Sequence, residues 1–242
     1  MPSPEYHRPR TLPEALELLQ HGKALAGGTR LTREASRLAS IVDLQALGLD
    51  RIEDQANEWV LGANLRLQAL VDSEKGLPVA LIAACRLEAG ANLRNMATLA
   101  GTIMAANGRS ALLTSLLALD TRVRLEPGGI AETLDSLLER RRHDLAGGLI
   151  VEIRFAKGVR LAYEQVARSP ADRPIICAAV ARVPGASRLR MALGGFGERP
   201  IVVGDARAAE TAYAKAEDAW ASAEYRSAVA GILVRRLAAE VA

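Results

Sequence analysis

Two stretches of this 242-residue chain gather small side chains, glycines and hydroxyls at positions where a backbone can come close to a ligand. The first is Lys23-Ala24-Leu25-Ala26-Gly27-Gly28-Thr29-Arg30-Leu31: a short apolar strand, a glycine pair, then a hydroxyl. The second is centred on Thr98-Leu99-Ala100-Gly101-Thr102-Ile103, inside residues 91–120. Small residues with exposed N–H groups suit contact between backbone and an anionic or elongated group. Both segments are therefore expected to be loops that face each other across one long cofactor. A glycine pair between a strand and a helix is where N–H groups point at a pyrophosphate, although the same pair is also an ordinary connection. Neither GxGxxG nor a Gly-Lys-Ser/Thr P-loop is present.

Other chemistries find little support. No nucleophile has a base beside it, and no Gly-x-Ser-x-Gly elbow occurs. His7, His21 and His143 are scattered, each near an expected surface position, and no His/Cys/Asp spacing suggests a metal. Cys85 and Cys177 lie far apart and outside any CxxC, which fits a reducing, cytoplasmic setting. Gly194-Gly195-Phe196-Gly197 closes an apolar strand and reads as a structural turn. Arg140-Arg141-Arg142 reads as a solvated helix end.

The totals agree with a globular chain. Hydrophobic residues make up 50% and charged residues 24%, and the net charge is only +3. Aromatics at 3% are too few for base-stacking platforms, so nucleic acid is not an expected partner. No run of about 18 apolar residues suggests a membrane span. The first residues, MPSPEYHRPR, contain no apolar segment of a secretory leader.

The surrounding elements must position the two stretches. Thr11-Leu12-Pro13-Glu14 opens a helix as a capping box with proline in the first turn. A strand at 24–26, the glycine turn, a helix over 30–38 and a strand at 41–44 would form a parallel crossover. Residues 59–63 form the next strand, with Asn64 capping a helix, and Pro78 starts another helix. A helix runs from Ser110 through Leu119, then come a strand at 122–125, a helix at 133–140 and a strand at 151–155. Beyond residue 157 three strands, at 161–164, 175–183 and 189–193, are expected as an antiparallel meander. Alanine-rich helices fill the rest from Asp205. Tyr163, in the first of these strands, reads as a half-buried tyrosine with a satisfied hydroxyl.

Taken together, these residues resemble the FAD-binding medium subunit, or domain, of the molybdenum hydroxylases. Residues 25–31, LAGGTRL, resemble the first FAD loop of that family, and residues 93–103, LRNMATLAGTI, resemble its IRNxATIGGNI segment. Leu61-Gly62-Ala63 matches the strand between them. Tyr163-Glu164 with Asp172, then Leu193-Gly194-Gly195 and Ala223-Glu224-Tyr225-Arg226, resemble signatures of its C-terminal domain. The likeness covers nearly the whole chain, in order. It implies an α+β fold: a two-lobed, vanillyl-alcohol-oxidase-type (PCMH) FAD-binding domain over residues 1–157. A small domain of carbon monoxide dehydrogenase flavoprotein type, with a three-stranded antiparallel sheet and helices, would follow over 158–242.

The resemblance also implies FAD as cofactor, with no catalytic residue and no metal of the chain's own. It implies contacts from Leu25, Ala26, Gly27, Gly28, Thr29, Arg30 and Leu31 in the first segment. In the second they come from Thr98, Ala100, Gly101, Thr102, Met104, Ala105 and Asn107, with Leu149 and Tyr163 further on. It implies an oxidoreductase subunit that takes electrons from a molybdopterin large subunit through a 2Fe-2S small subunit. The alternative is a flavin-free member acting as an assembly or scaffold subunit. Arg30 stands where the family has Asp or Ser, and Ala100 and Thr102 replace the first glycine and the asparagine of TIGGN. Asn107-Gly108-Arg109-Ser110-Ala111 carries no carboxylate where the family often has one. Turned inward, the Arg30 guanidinium would suit phosphate oxygens; turned outward, it would be a solvated arginine.

Overall fold

The computed structural model describes residues 3–33, 37–141 and 147–242. In chain order the elements are β1 (Glu5–His7), α1 (Leu12–Leu18), β2 (Lys23–Leu25), β3 (Ser40–Asp43), β4 (Ile52–Asp54), β5 (Glu58–Gly62), α2 (Leu67–Val71) and α3 (Val79–Glu88). There follow α4 (Ala91–Arg94), α5 (Leu99–Ala105), α6 (Ala111–Ala118), β6 (Arg122–Glu126), β7 (Ile130–Thr133), α7 (Leu134–Arg140) and β8 (Leu149–Ala156). The chain ends with β9 (Arg160–Val166), β10 (Ile176–Arg182), β11 (Arg190–Gly194), β12 (Ile201–Val203), α8 (Ala206–Ala212) and α9 (Ala223–Val241).

The elements form two compact units interleaved along the chain. One comprises Met1–Leu70, Ala91–Ala105 and Arg122–Arg154; the other comprises Val71–Gly90, Ala106–Thr121 and Phe155–Ala242. The second candidate stretch is thus shared out: α5 belongs to the first unit and α6 to the second.

In the first unit, β1, β3 and β2 make a parallel sheet in that order. The parallel crossover from β2 to β3 is present, but its connection carries a 3-10 turn at Leu31–Arg33, and the middle of the helix expected over 30–38 lies outside the described residues. Thr11 caps α1 by accepting from the N–H of Glu14, while the Glu14 carboxylate accepts from the N–H of Arg10. A second sheet has the order β4-β5-β8-β6-β7, with hairpins β4–β5 and β6–β7 antiparallel. Asn64 is not a helix cap: α2 begins three residues later, and the Asn64 amide instead donates to the Leu44 carbonyl at 2.6 Å.

In the second unit the expected three-stranded meander has four strands, β12-β11-β10-β9, all antiparallel. Strand β10 is buried at every position from Ile176 to Ala181. Its alternate residues Ile176, Ala178 and Val180 pack with Ala209, Tyr213 and Leu233 of the α8–α9 side. Helices α3 and α6 lie against the same sheet, and every residue of α6 is buried. A strand covered on both sides needs a continuous apolar run, which is what residues 176–181 provide. Gly194-Gly195-Phe196-Gly197 is structural here: Gly195 donates to the Gly108 carbonyl at 2.7 Å, and Gly108 donates to Gly197 at 3.0 Å. A Cβ on Gly108 would lie 1.9 Å from the Phe196 carbonyl oxygen.

Ser110 caps α6, accepting from the Leu113 N–H at 3.0 Å and donating its proton to Glu88 at 2.7 Å. The Glu88 carboxylate also accepts from the Leu112 N–H. Burial raises the Glu88 carboxyl above its usual range, and these two hydrogen bonds only partly offset it. An acid whose folded pKa is raised stabilises most when protonated. Its contribution is present below the ordinary carboxylate value of about 4.3 and is lost as pH rises from there to the folded value. Glu88→Gln should therefore gain stability relative to wild type as pH rises through that window, with the smallest difference below it. Urea midpoints measured from pH 3 to pH 8 check this; parallel curves for the two proteins would contradict it.

Candidate functional site

In the first unit, the turn after β2 runs Ala26-Gly27-Gly28-Thr29, with Gly28 at φ 70°. Among the described residues, no acceptor is seen for the N–H groups of Gly27, Gly28 and Thr29. Successive unpaired N–H groups around a left-handed residue form a concavity that attracts anions. Gly27 owes its glycine to the protein itself: a Cβ there would lie 2.0 Å from the Met96 carbonyl oxygen. This close approach holds the turn against the α4–α5 link.

The second stretch departs from expectation. The segment read as a loop with exposed N–H groups is for most of its length helix α5, and the N–H groups of its start are already used. Leu99 donates to Leu65 at 2.9 Å and Ala100 to Ala63 at 3.0 Å. Gly101 donates to the Thr98 hydroxyl oxygen and Thr102 to the Thr98 carbonyl. The Thr102 hydroxyl donates to that same carbonyl at 2.9 Å. This stretch therefore offers a wall, not a set of donors. The far end of α5 is bracketed by two arginines: Arg30 donates to the Ala105 carbonyl and Arg141 to the Ile103 carbonyl.

Arg30 thus turns toward protein, where its charge suits the negative end of the helix. Arg141 is buried, which corrects the reading of residues 140–142 as a solvated run. Arg140 pairs with Glu132; Arg142 and His143 lie outside the described residues. Arg30→Ala should lower stability by about 1 kcal/mol, the usual net worth of one hydrogen bond. It should leave the salt dependence of any FAD affinity unchanged. A flattened salt slope in this variant would mean a phosphate contact instead.

Beside the glycine turn the first unit encloses a cavity of about 460 Å³, within the ordinary range for ligand clefts. Of the residues singled out from sequence, Ala26, Ala100, Gly101, Met104 and Leu149 line it. Gly27, Gly28, Thr29 and Arg30 lie in the adjoining connection, between Leu25 at the end of β2 and Leu31 at the start of the 3-10 turn, and Thr102 and Ala105 belong to α5, with Thr98 just before it. Asn107 and Tyr163 lie in the second unit. Asn107 is exposed and accepts from the Arg109 N–H at 3.0 Å. Tyr163 is half-buried and donates its hydroxyl to Gln165 at 2.7 Å; burial raises its pKa well above the ordinary value. Nearby, burial pushes the Cys177 thiol up to about 11, so it stays protonated and inert.

Sequence reasoning missed several lining residues: His21 and Lys23 before and within β2, Asn64 after β5, and Gly147-Gly148 before β8. Gly147-Gly148 repeats, ahead of a strand, the glycine pair that follows β2, and that signal was readable. Among the described residues, no group of three or more His, Cys, Asp or Glu could hold a metal ion, and no helix is long and apolar enough to cross a membrane.

The chain can be set beside known proteins. A family model described as the FAD binding domain in molybdopterin dehydrogenase matches residues 2–155. The uncharacterized protein YgfM of Escherichia coli K12 is 31% identical over 256 residues, which cover 98% of this chain and 95% of that protein. The carbon monoxide dehydrogenase medium chain of Hydrogenophaga pseudoflava is 30% identical over 278 residues, covering 96% and 94%. A solved structure of Hydrogenophaga pseudoflava carbon monoxide dehydrogenase, in a form lacking the Mo-pyranopterin moiety, matches with a TM-score of 0.83 at 24% identity. That match covers 99% of this chain and 97% of the other. The structural likeness establishes a mixed α/β fold shared with that chain.

Proposed function

Because the chain belongs to the family of FAD-binding domains of molybdopterin dehydrogenases, we propose that it is the flavin-carrying electron-transfer subunit of a molybdenum hydroxylase. The family binds FAD, and the chain is an oxidoreductase subunit of that family. The observation that carries the proposal is the glycine turn, whose three N–H groups meet no acceptor among the described residues, beside a mostly apolar cavity. FAD, when bound, supplies the capacity to accept and pass on electrons. The chain's own part is to bind, orient and shield. The N–H groups of Gly27, Gly28 and Thr29 would hold pyrophosphate oxygens. Ala26, Ala100, Met104 and Leu149 would keep water from a planar ring. Arg30 and Arg141 fix α5, which forms one wall.

The finer features belong to the same proposal. The FAD domain over residues 1–157 would be a two-lobed vanillyl-alcohol-oxidase-type domain, with residues 158–242 as the second domain. The family model, which ends at residue 155, supports that division. Tyr163 and Asn107 stand in it as further FAD contacts. Electrons would arrive from a molybdopterin large subunit through a 2Fe-2S small subunit, in the cytoplasm. The flavin-free scaffold is not favoured, because the N–H groups of the first turn meet no acceptor among the described residues, although α5 has spent its own. The test is reduction of the FAD-loaded chain, followed by loss of its visible absorbance. Hydroxylase substrates should leave the isolated chain oxidised, and reduction should require the two partner subunits. Rapid bleaching by substrate without partners would refute the electron-transfer role.

A further inference from the structure

Asn64 directly follows β5, is 7% exposed and lines the cavity of the first unit. Its backbone N–H donates to the Leu49 carbonyl at 2.7 Å, and its side-chain nitrogen donates to the Leu44 carbonyl at 2.6 Å. A carbonyl oxygen can only accept, so chemistry dictates that the amide nitrogen faces Leu44. The Oδ1 atom is therefore left as an acceptor; among the described residues no donor is seen for it, and it is not one of the fully buried unpartnered atoms, so it stays open to the cavity that Asn64 lines. An acceptor that opens only into a cavity is met there by water, or by a donor of whatever displaces that water. The cavity lining is mostly apolar, with Leu44, Ala63, Met104 and Leu149 in it, and Gln20, His21 and Lys23 are its other polar side chains. One fixed acceptor among apolar walls recognises a planar ring by whether the ring edge presents N–H or carbonyl, because two facing acceptors repel.

We infer that Asn64 is a specificity-determining residue whose Oδ1 accepts an N–H from the edge of a planar nitrogen heterocycle of the bound dinucleotide. The inference rests on the FAD reading above. FAD has two such donors, the exocyclic amine of its adenine and N3–H of its flavin ring. The experiment distinguishes them by measuring dissociation constants, through fluorescence titration, for three ligands. These are FAD, an analogue with a carbonyl in place of the adenine amine, and an analogue methylated at flavin N3. Each is titrated into wild type, Asn64→Leu and Asn64→Gln, with folding of each variant followed by thermal melting.

Wild type should bind FAD more tightly than one of the two analogues, on the order of 10- to 10²-fold, the cost of leaving one acceptor without its donor. Asn64→Leu should bring that ratio close to one. Asn64→Gln, which keeps both an amide donor and an amide acceptor, should preserve it and keeps the comparison available if the leucine variant does not fold. The comparison is a ratio within each protein, so a general loosening from the lost Leu44 bond cancels. Wild-type affinities for all three ligands within about threefold of one another would overturn the inference while leaving the FAD reading intact. Full discrimination retained in Asn64→Leu would overturn it too. If no ligand binds to folded wild type, the FAD reading itself fails and the inference falls with it.

Discussion

Arg226→Ala should destabilise the second unit by about 3–5 kcal/mol, the sum of buried carbonyls that lose their donor and of the cavity left by a large buried side chain. Arg226 is fully buried in α9. Its guanidinium donates to the carbonyls of Ile175, Ala216 and Ala221 and to the carboxylate of Asp218 at 2.8 Å. It also lies over the Phe196 ring, 5.0 Å from the centroid. One side chain thus ties the start of β10, the segment between α8 and α9, and the glycine-rich turn after β11. Burial alone would raise the Asp218 carboxyl, yet the bonds from Arg226 and from the N–H groups of Trp220 and Ala221 hold it below its usual range. Removing the arginine takes the side-chain donor from the Ile175 and Ala216 carbonyls, leaves Ala221 with only the Asp218 N–H at 3.3 Å, and opens a void. Lysine at this position cannot fork to four acceptors, so Arg226→Lys should recover little. Urea denaturation followed by circular dichroism measures the loss. A midpoint unchanged from wild type would remove Arg226 as the fastener of this unit.

The two glycines of the first turn should separate fold from binding. A side chain at Gly27 meets the Met96 carbonyl oxygen at 2.0 Å, which no small shift relieves. Gly27→Ala should therefore push the turn away from the α4–α5 link. We expect a cost of about 1–3 kcal/mol, the usual price of overpacking, together with loss of FAD binding. At Gly28 a Cβ meets only the tips of Thr32 and Leu25, at 3.3 and 3.4 Å. Its φ of 70° still disfavours alanine, by roughly 1–2 kcal/mol. Gly28→Ala should stay folded yet bind FAD at least tenfold more weakly, about 1.4 kcal/mol, because the N–H concavity opens. Melting temperature and FAD titration on both variants give the comparison. Equal FAD affinity in folded Gly28→Ala and wild type would place the pyrophosphate elsewhere.

Much of this architecture was legible in the residues. The helix expected from Ser110 through Leu119 is α6, with Ser110 as its cap, Pro78 precedes α3, and the strands at β5, β8 and β10 follow their apolar runs. The strands that escaped notice, β1, β4, β7 and β12, are three or four residues long, too short for a period of two to declare itself. The small residues of α5 were misread because their N–H partners, Ala63 and Leu65, lie more than thirty positions away. Arg141 and Arg226 look like surface charge in sequence. Only tertiary structure shows the carbonyls they serve. Asn64 has the residue type and place of a helix cap, and its actual partner, Leu44, is twenty positions upstream.

The most direct test of the account is a titration of the purified, flavin-free chain with FAD, followed by visible absorption and flavin fluorescence. The account predicts saturable uptake of one FAD per folded chain, with a perturbed absorption band and altered emission. Folded protein that leaves both the spectrum and the emission of added FAD unchanged would contradict it.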